Sequence, residues 1–162
     1  MGLDMYLFRA KKTPNGGFSY NYDTDEVGYW RKANAIHKWF VDNVQNGEDN
    51  CEAYEVSKEA LEKLLNNCCT VLSKCKLVEK DVIEEFGRNE HGEIIERVVK
   101  KKVIEDTSVA EKILPTTDGF FFGCTDYNEW YIDDIKNTIE IISDTLKNTN
   151  FDTETIVYCS SW

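Results

Sequence analysis

A chain of 162 residues with 41% hydrophobic and 12% aromatic content has the length of one domain and enough apolar side chains to close a core. Its 30 acids against 19 bases give a net charge of −11, which argues against nucleic acid as a partner, because neutralising phosphates takes a basic face. No apolar run reaches the roughly 20 residues that span a bilayer, and the opening MGLDMYLFRAKK has an early Asp4 and no small-residue cleavage site, so neither a membrane span nor a signal peptide is expected and the expected compartment is cytoplasmic.

LDMYLFRA (3–10) alternates Leu3, Met5 and Leu7 with Asp4, Tyr6 and Phe8, which predicts a strand. TPNGG (13–17) is a turn signal, and FSYNY (18–22) reads as a short second strand. DTDE (23–26) reads as the start of a first helix, with Asp23 or Thr24 as cap and Asp25 and Glu26 at the positive end of its dipole. That helix is predicted to run to about Val44 and to stop near Asn46-Gly47. EAYEV (52–56) is a brief extended piece. Ser57 then caps a second helix, whose apolar stripe is Leu61, Leu64, Leu65, Cys68, Leu72 and Cys75.

Residues 77–106 are β-branched and highly charged around GRNEHG, and read as a hairpin-like insertion. SVAEKILP (108–115) is a helical turn stopped by Pro115. GFFFG (119–123) reads as a strand buried on both faces. Thr125 or Asp126 is expected to cap a third helix that faces the core with Tyr131, Ile135, Thr138, Ile139, Ile142 and Leu146. ETIVYCSSW (154–162) is a last strand, expected to bury Trp162. The sum is one α+β domain over residues 1–162, with a small mixed or largely antiparallel sheet of three to four strands packed with three main helices.

YWRKANAIHKWF (29–40) holds the candidate site. On a helix, Ala33, Ile36, Phe40 and Val44 centre the apolar arc, with His37 beside it, Asn34 at its edge and Arg31 and Lys38 further out. A buried imidazole or amide needs a hydrogen-bond partner. One reading is a core histidine satisfied by protein groups, with the cations solvated. The other is a pocket in which Trp30 or Trp39 is a stacking face, Asn34 and His37 orient a ligand, and Arg31 and Lys38 meet an anion. A second cluster, TTDGFFFGCTDYNEWY (116–131), offers Gly119 and Gly123 for close backbone approach. Asp126, Glu129 and Asp133 fall on one side of the third helix, as a solvated face or as a cation or acid–base site. The six cysteines lack C-x-x-C spacing and read as reduced thiols. A metal site on Cys68, Cys75 and a histidine is the distant alternative, and Cys124 or Cys159 paired with His37 would be a nucleophile only by spatial accident. G-x-S-x-G, phosphate-loop, H-E-x-x-H and dinucleotide patterns are missing, so no cofactor is expected.

Over MGLDMYL, YWRKANAIHKWF, LPTTDGFFFGCTDYNEWY and the terminal SSW, the chain resembles a family of small proteins found in bacteriophages, prophages and low-GC Gram-positive bacteria. Residues 77–106 look like an insertion relative to that family. The resemblance implies a phage-related accessory protein acting in a bacterial cytoplasm, a setting in which counter-defence is a common role, and it brings no catalytic residue with it. The leading expectation is a non-enzymatic binding protein that sequesters a small anionic, nucleotide-like ligand through Trp30, Arg31, Asn34, His37 and Lys38. A second is an acidic protein-interaction or DNA-mimic inhibitor of a host enzyme. A third is a small hydrolase or transferase using His37 with Asp126 or Glu129.

Overall fold

The central strand β1 (Asp4–Lys12) alternates as its sequence requires, and both of its faces are covered. Met5 and Leu7 point into the main core, whereas Phe8 and Ala10 point to a smaller cluster on the other side. The computed structural model describes residues 2–162. One edge of β1 pairs along almost its whole length with β7 (Glu154–Ser161), from Asp4 opposite Ser161 to Lys11 opposite Glu154. The other edge takes β2 (Phe18–Ser19) and then β3 (Glu26–Arg31), with a bulge at Leu7/Phe8. A short β4 (Tyr54–Val56) borders β7, and every pairing in the sheet is antiparallel. The helices α1 (Asn34–Asn43), α2 (Lys58–Lys74), α3 (Ser108–Ile113) and α4 (Glu129–Asn148) contribute to the main core, and α2 packs along α4. The smaller cluster is covered by an aromatic layer, in which Tyr20 stacks on Phe8 at 4.6 Å and Tyr22 tilts over both Phe8 and Tyr6.

Among the described residues this is an α+β arrangement of four helices, a five-stranded antiparallel sheet and a separate two-stranded ribbon. Beside the three main helices, the short α3 falls on the helical turn read at SVAEKILP, and the strands number more than the three to four expected. The second helix is as its stripe implied: Ser57 Oγ accepts from Ala60 N at 3.1 Å, and Leu61, Leu64, Cys68 and Val71 are buried. No helix among the described residues is long and apolar enough to cross a membrane.

Four expectations need correction. The first helix begins only at Asn34, and the segment before it is β3. Gly28 and Trp30 share the core face of that strand, and a Cβ on Gly28 would lie 2.4 Å from Ile141 Cγ2 of α4. This close approach is a tertiary constraint that fixes a two-residue period and overrides the local helix signal. GFFFG is a turn and not a strand. Phe122 N donates to Gly119 O, Phe121 has φ 64°, and of the three phenylalanines only Phe122 is buried. The cap of α4 is Asn128, whose Oδ1 accepts from Trp130 N and Tyr131 N, in place of Thr125 or Asp126. Trp162 is also not buried. It is 51% exposed just past the last pair of β7, leaning on Phe122 and donating from Nε1 to Asp49 at 3.0 Å.

The ribbon is β5 (Leu77–Arg88) paired with β6 (Ile94–Ile104). It touches the rest of the fold at its root, where Ile104 is buried, Val103 bridges Asn128 and Ile104 N donates to Tyr127 O. Further out, Ile83, Phe86 and Val98 are exposed, so the arm contributes little burial to the core. Replacing residues 81–100 with Asn-Gly, which leaves this root intact, is expected to preserve a single cooperative urea transition. Loss of cooperativity in that titration would show that the arm carries core stability.

Candidate functional site

Two polar side chains on the buried face of α1 organise the region. Asn34 is buried, with both its amide donors and its oxygen directed at one loop. Its Nδ2 donates to Phe122 O at 3.2 Å and Cys124 O at 2.9 Å, and its Oδ1 accepts from Thr117 N at 3.2 Å. One turn on, His37 is 1% exposed, with Nδ1 2.7 Å from the Tyr158 hydroxyl and Nε2 3.0 Å from Asp49 Oδ2. Burial pushes the Tyr158 phenol far above its ordinary value, so its O–H is kept as a donor. The arrangement that satisfies both contacts has Tyr158 donating to Nδ1 and an Nε2–H donating to Asp49. Neither nitrogen is left for a ligand or a substrate proton. The carboxylate beside His37 is Asp49, and not Asp126 or Glu129.

The remaining stripe residues part company. Trp30 is in the core, its Nε1 donating to Thr138 Oγ1 at 2.9 Å, so its ring is no stacking face. Trp39 is buried as well, edge-on to Phe40. Lys38 pairs with Asp42 one helical turn away at 2.8 Å, and with His37 lines a hollow of about 200 Å³. Arg31 is exposed, 3.8 Å from Asp4.

Arg31 and Asn34 do meet at a different place, a cavity of about 370 Å³ between the β3–α1 turn, the Asn34-held loop and the first turns of α4. The turn supplies Arg31 and Lys32. The loop supplies Thr116, Gly123, Cys124 and Asp126, and α4 supplies Trp130, Tyr131, Asp133 and Asp134. Lys32 has φ 58°, a left-handed conformation uncommon for a long side chain, and Gly123 opposite it has φ 90°. A Cβ on Gly123 would lie 3.1 Å from Lys32 Cβ, so the glycine permits the close approach that its sequence position suggested. Trp130 is 68% exposed at this cavity. Asp133 and Asp126 share the cavity, though Asp126 precedes the helix and Glu129 lines a neighbouring hollow.

Desolvation, with Asp133 adding repulsion, pushes the Asp134 carboxyl up to about 7. Desolvation also raises the Cys124 thiol in the cavity wall and the Cys159 thiol, whose side chain belongs to the sheet face opposite Tyr158 and His37. Neither cysteine is therefore primed as a thiolate for His37. Among the described residues no group of three or more His, Cys, Asp and Glu side chains is placed to hold a metal ion.

The stripe reading missed Lys32, Trp130 and Asp134. Trp130 had a signal: a large aromatic directly before Tyr131 but off the apolar stripe of its helix. Asp134 had one too, standing three residues after Tyr131 and four before Thr138, on the core side of α4. Comparison with family models, curated proteins and solved structures finds no match for this chain.

Two expected outcomes follow from this geometry. Asn34→Ala strands two carbonyls and an N–H of the loop, so it should cost about 1–3 kcal/mol in urea unfolding and speed chymotryptic cleavage at Phe120–Phe122. Unchanged cleavage would show that the loop is held by other contacts. Asp134 keeps its proton to about 7 when folded, but an unfolded aspartate releases it near ~3.9. The folded state thus binds the extra proton between these values, and this contribution to stability, full below the unfolded value, is lost as pH rises through about 7. Asp134→Asn should then gain stability over the wild type on going from pH ~4 to ~8, reaching on the order of 2 kcal/mol or more. Parallel urea titrations across that range check it.

Proposed function

We propose that this protein is a binding protein for a small nucleotide-like anion, seated in the cavity beside Trp130. The observation that carries this reading is the exposed indole at a cavity that also holds two cations and three carboxyl groups. An indole standing 68% in solvent gains from a flat ring laid on it, by about 1–3 kcal/mol per stacked base. Arg31 and Lys32 provide charge-assisted donors for a phosphate. Asp133 and Asp134 provide acceptors for the amino edge of a base, and Asp134 with its raised value also offers a proton near neutrality. The volume, about 370 Å³, is at the small end of ligand sites of roughly 300–1,000 Å³.

In the phage-related cytoplasmic setting that the resemblance implies, such a protein acts by sequestering a nucleotide signal, a counter-defence role that requires no chemistry. The saturated hydrogen bonds of His37 favour binding over a histidine-based hydrolase or transferase. Cations around Trp130 interrupt the acidic surface that an inhibitor mimicking DNA would need to present.

A thermal-shift panel of nucleoside mono- and diphosphates, followed by calorimetry, tests the reading. A hit should bind Trp130→Ala and Arg31→Ala more weakly by about 1–3 kcal/mol each, with little change in the melting temperature of the free variants, since both side chains are exposed. His37→Ala should do the opposite, lowering the melting temperature and leaving affinity intact. If no nucleotide raises the wild-type melting temperature, or if Trp130→Ala binds a hit as well as the wild type does, the cavity is not a nucleotide seat.

A further inference from the structure

Trp130 belongs to two cavities. With Asn128 it lines the 370 Å³ cavity and also a second of about 110 Å³, whose other walls are Lys101, Lys102 and Glu129. A third, of about 410 Å³, extends between the ribbon and α3 and shares Asn128 and Asp126 with the first and Asn128 and Lys101 with the second. The three form one system around the start of α4. Backbone contacts fix the ribbon there, through the Val103–Asn128 bridge and the 2.9 Å bond from Ile104 N to Tyr127 O. Lys101 and Lys102 directly precede that anchor, so they are presented to the cavity by the best-held part of the arm. Lys101 also pairs with Glu84 across the ribbon, which restrains its side chain. Lys32 and Lys102 make no ion pair among the described residues.

In a chain of net charge −11, four cations stand around one exposed indole, beside the carboxyls of Asp126, Asp133, Asp134 and Glu129. They come as two pairs from unrelated elements, Arg31 and Lys32 on the β3–α1 turn and Lys101 and Lys102 on β6. In the smaller cavity Lys101 is shared with Glu84, and Lys102 is the cation without an ion pair among the described residues. A single phosphate held by one pair leaves the other pair unused, because the pairs line different cavities that meet at Trp130.

We infer that the ribbon supplies the second half of the ligand site, and that the ligand carries two phosphates flanking one base, as in a nucleoside 3′,5′-bisphosphate or the 5′-phosphorylated unit of a dinucleotide. This rests on the reading of the larger cavity as a nucleotide seat. One phosphate is held at Arg31 and Lys32, the base lies on Trp130, and the other phosphate is held at Lys101 and Lys102. The arm is then a functional part of the site and not a passive insertion.

Calorimetry with adenosine 5′-monophosphate, adenosine 3′,5′-bisphosphate and the dinucleotide pApA tests this on the full chain and on the Lys101→Ala/Lys102→Ala variant. Both lysines are exposed, and circular dichroism is the check that the variant folds. The wild type should prefer the bisphosphate or pApA to the monophosphate by about tenfold or more, the value of a charge-assisted contact. The variant should lose that preference and bind the monophosphate as the wild type does. Tighter binding of pApA than of the bisphosphate assigns the ligand to oligonucleotides, and the reverse order assigns it to free nucleotides. Equal wild-type affinity for mono- and bisphosphate, or a variant that keeps the preference, overturns the role of the ribbon and leaves the nucleotide seat standing. Binding of none of the three overturns both.

Discussion

Asn34 and His37 are one turn apart on the buried side of a ten-residue helix, and neither side chain tolerates the core without partners. Their partners are far away in sequence. Asn34 takes backbone groups of Thr117, Phe122 and Cys124, while His37 takes Tyr158 of β7 and Asp49 of the α1–β4 connection. Phe40, on the same side of α1, stacks on the Tyr158 ring at 3.9 Å. A loop, a strand and a connection are thereby held to one short helix. Asn34 stands in for the ladder that residues 119–123 do not form, which is how an irregular segment becomes a defined cavity wall.

Backbone strain falls at the same wall. Lys32 and Phe121 both adopt φ near +60°, and each sits where two segments cross. Lys32 N donates to Leu3 O, Leu3 N donates to Phe121 O, and Gly2 and Gly123 both lie against the Lys32 side chain. A left-handed conformation on bulky residues persists only where the surroundings over-determine it. Here they do so through β1 on one side and the Asn34-held loop on the other. The result fixes the backbone from which Arg31 and Lys32 project and holds the Lys32 stem between Gly2 and Gly123.

The local signals in the sequence were sufficient where one period dominated. The alternation of β1, the turn at residues 13–17, the Ser57 cap and stripe of α2, the charged arms of the ribbon and the core face of α4 all follow from neighbours within a few residues. The errors share a different cause. YWRK fits a helix wheel and a strand equally well, and the deciding fact is Ile141 filling the space above Gly28, more than a hundred residues away. The three phenylalanines of GFFFG look equivalent, but Asn34 buries one and leaves Phe120 79% exposed. The candidate site was half legible for the same reason. Arg31 and Asn34 do line the cavity, whereas treating Trp30 as helical placed a core indole at the surface and hid Lys32. No local pattern announces that Tyr158 would reach His37, because that contact spans 121 positions.

The charge distribution follows a logic that links these pieces to selectivity. Glu140 and Asp144 stand exposed along α4 beyond the cavity, and the acids of β5 continue the negative surface on the ribbon. At physiological salt a charge is felt over about 8 Å. A small anion at Trp130 would meet the four cations together with the carboxyls that line the same cavities, and would be screened from the more distant ones. A duplex extends well past that range and would lie against the carboxylates of α4, at a repulsion that no local contact offsets. The net charge of −11 and the cationic cluster are thus compatible features. On the proposed reading, together they would favour a short phosphorylated ligand over the long polymers that carry the same groups.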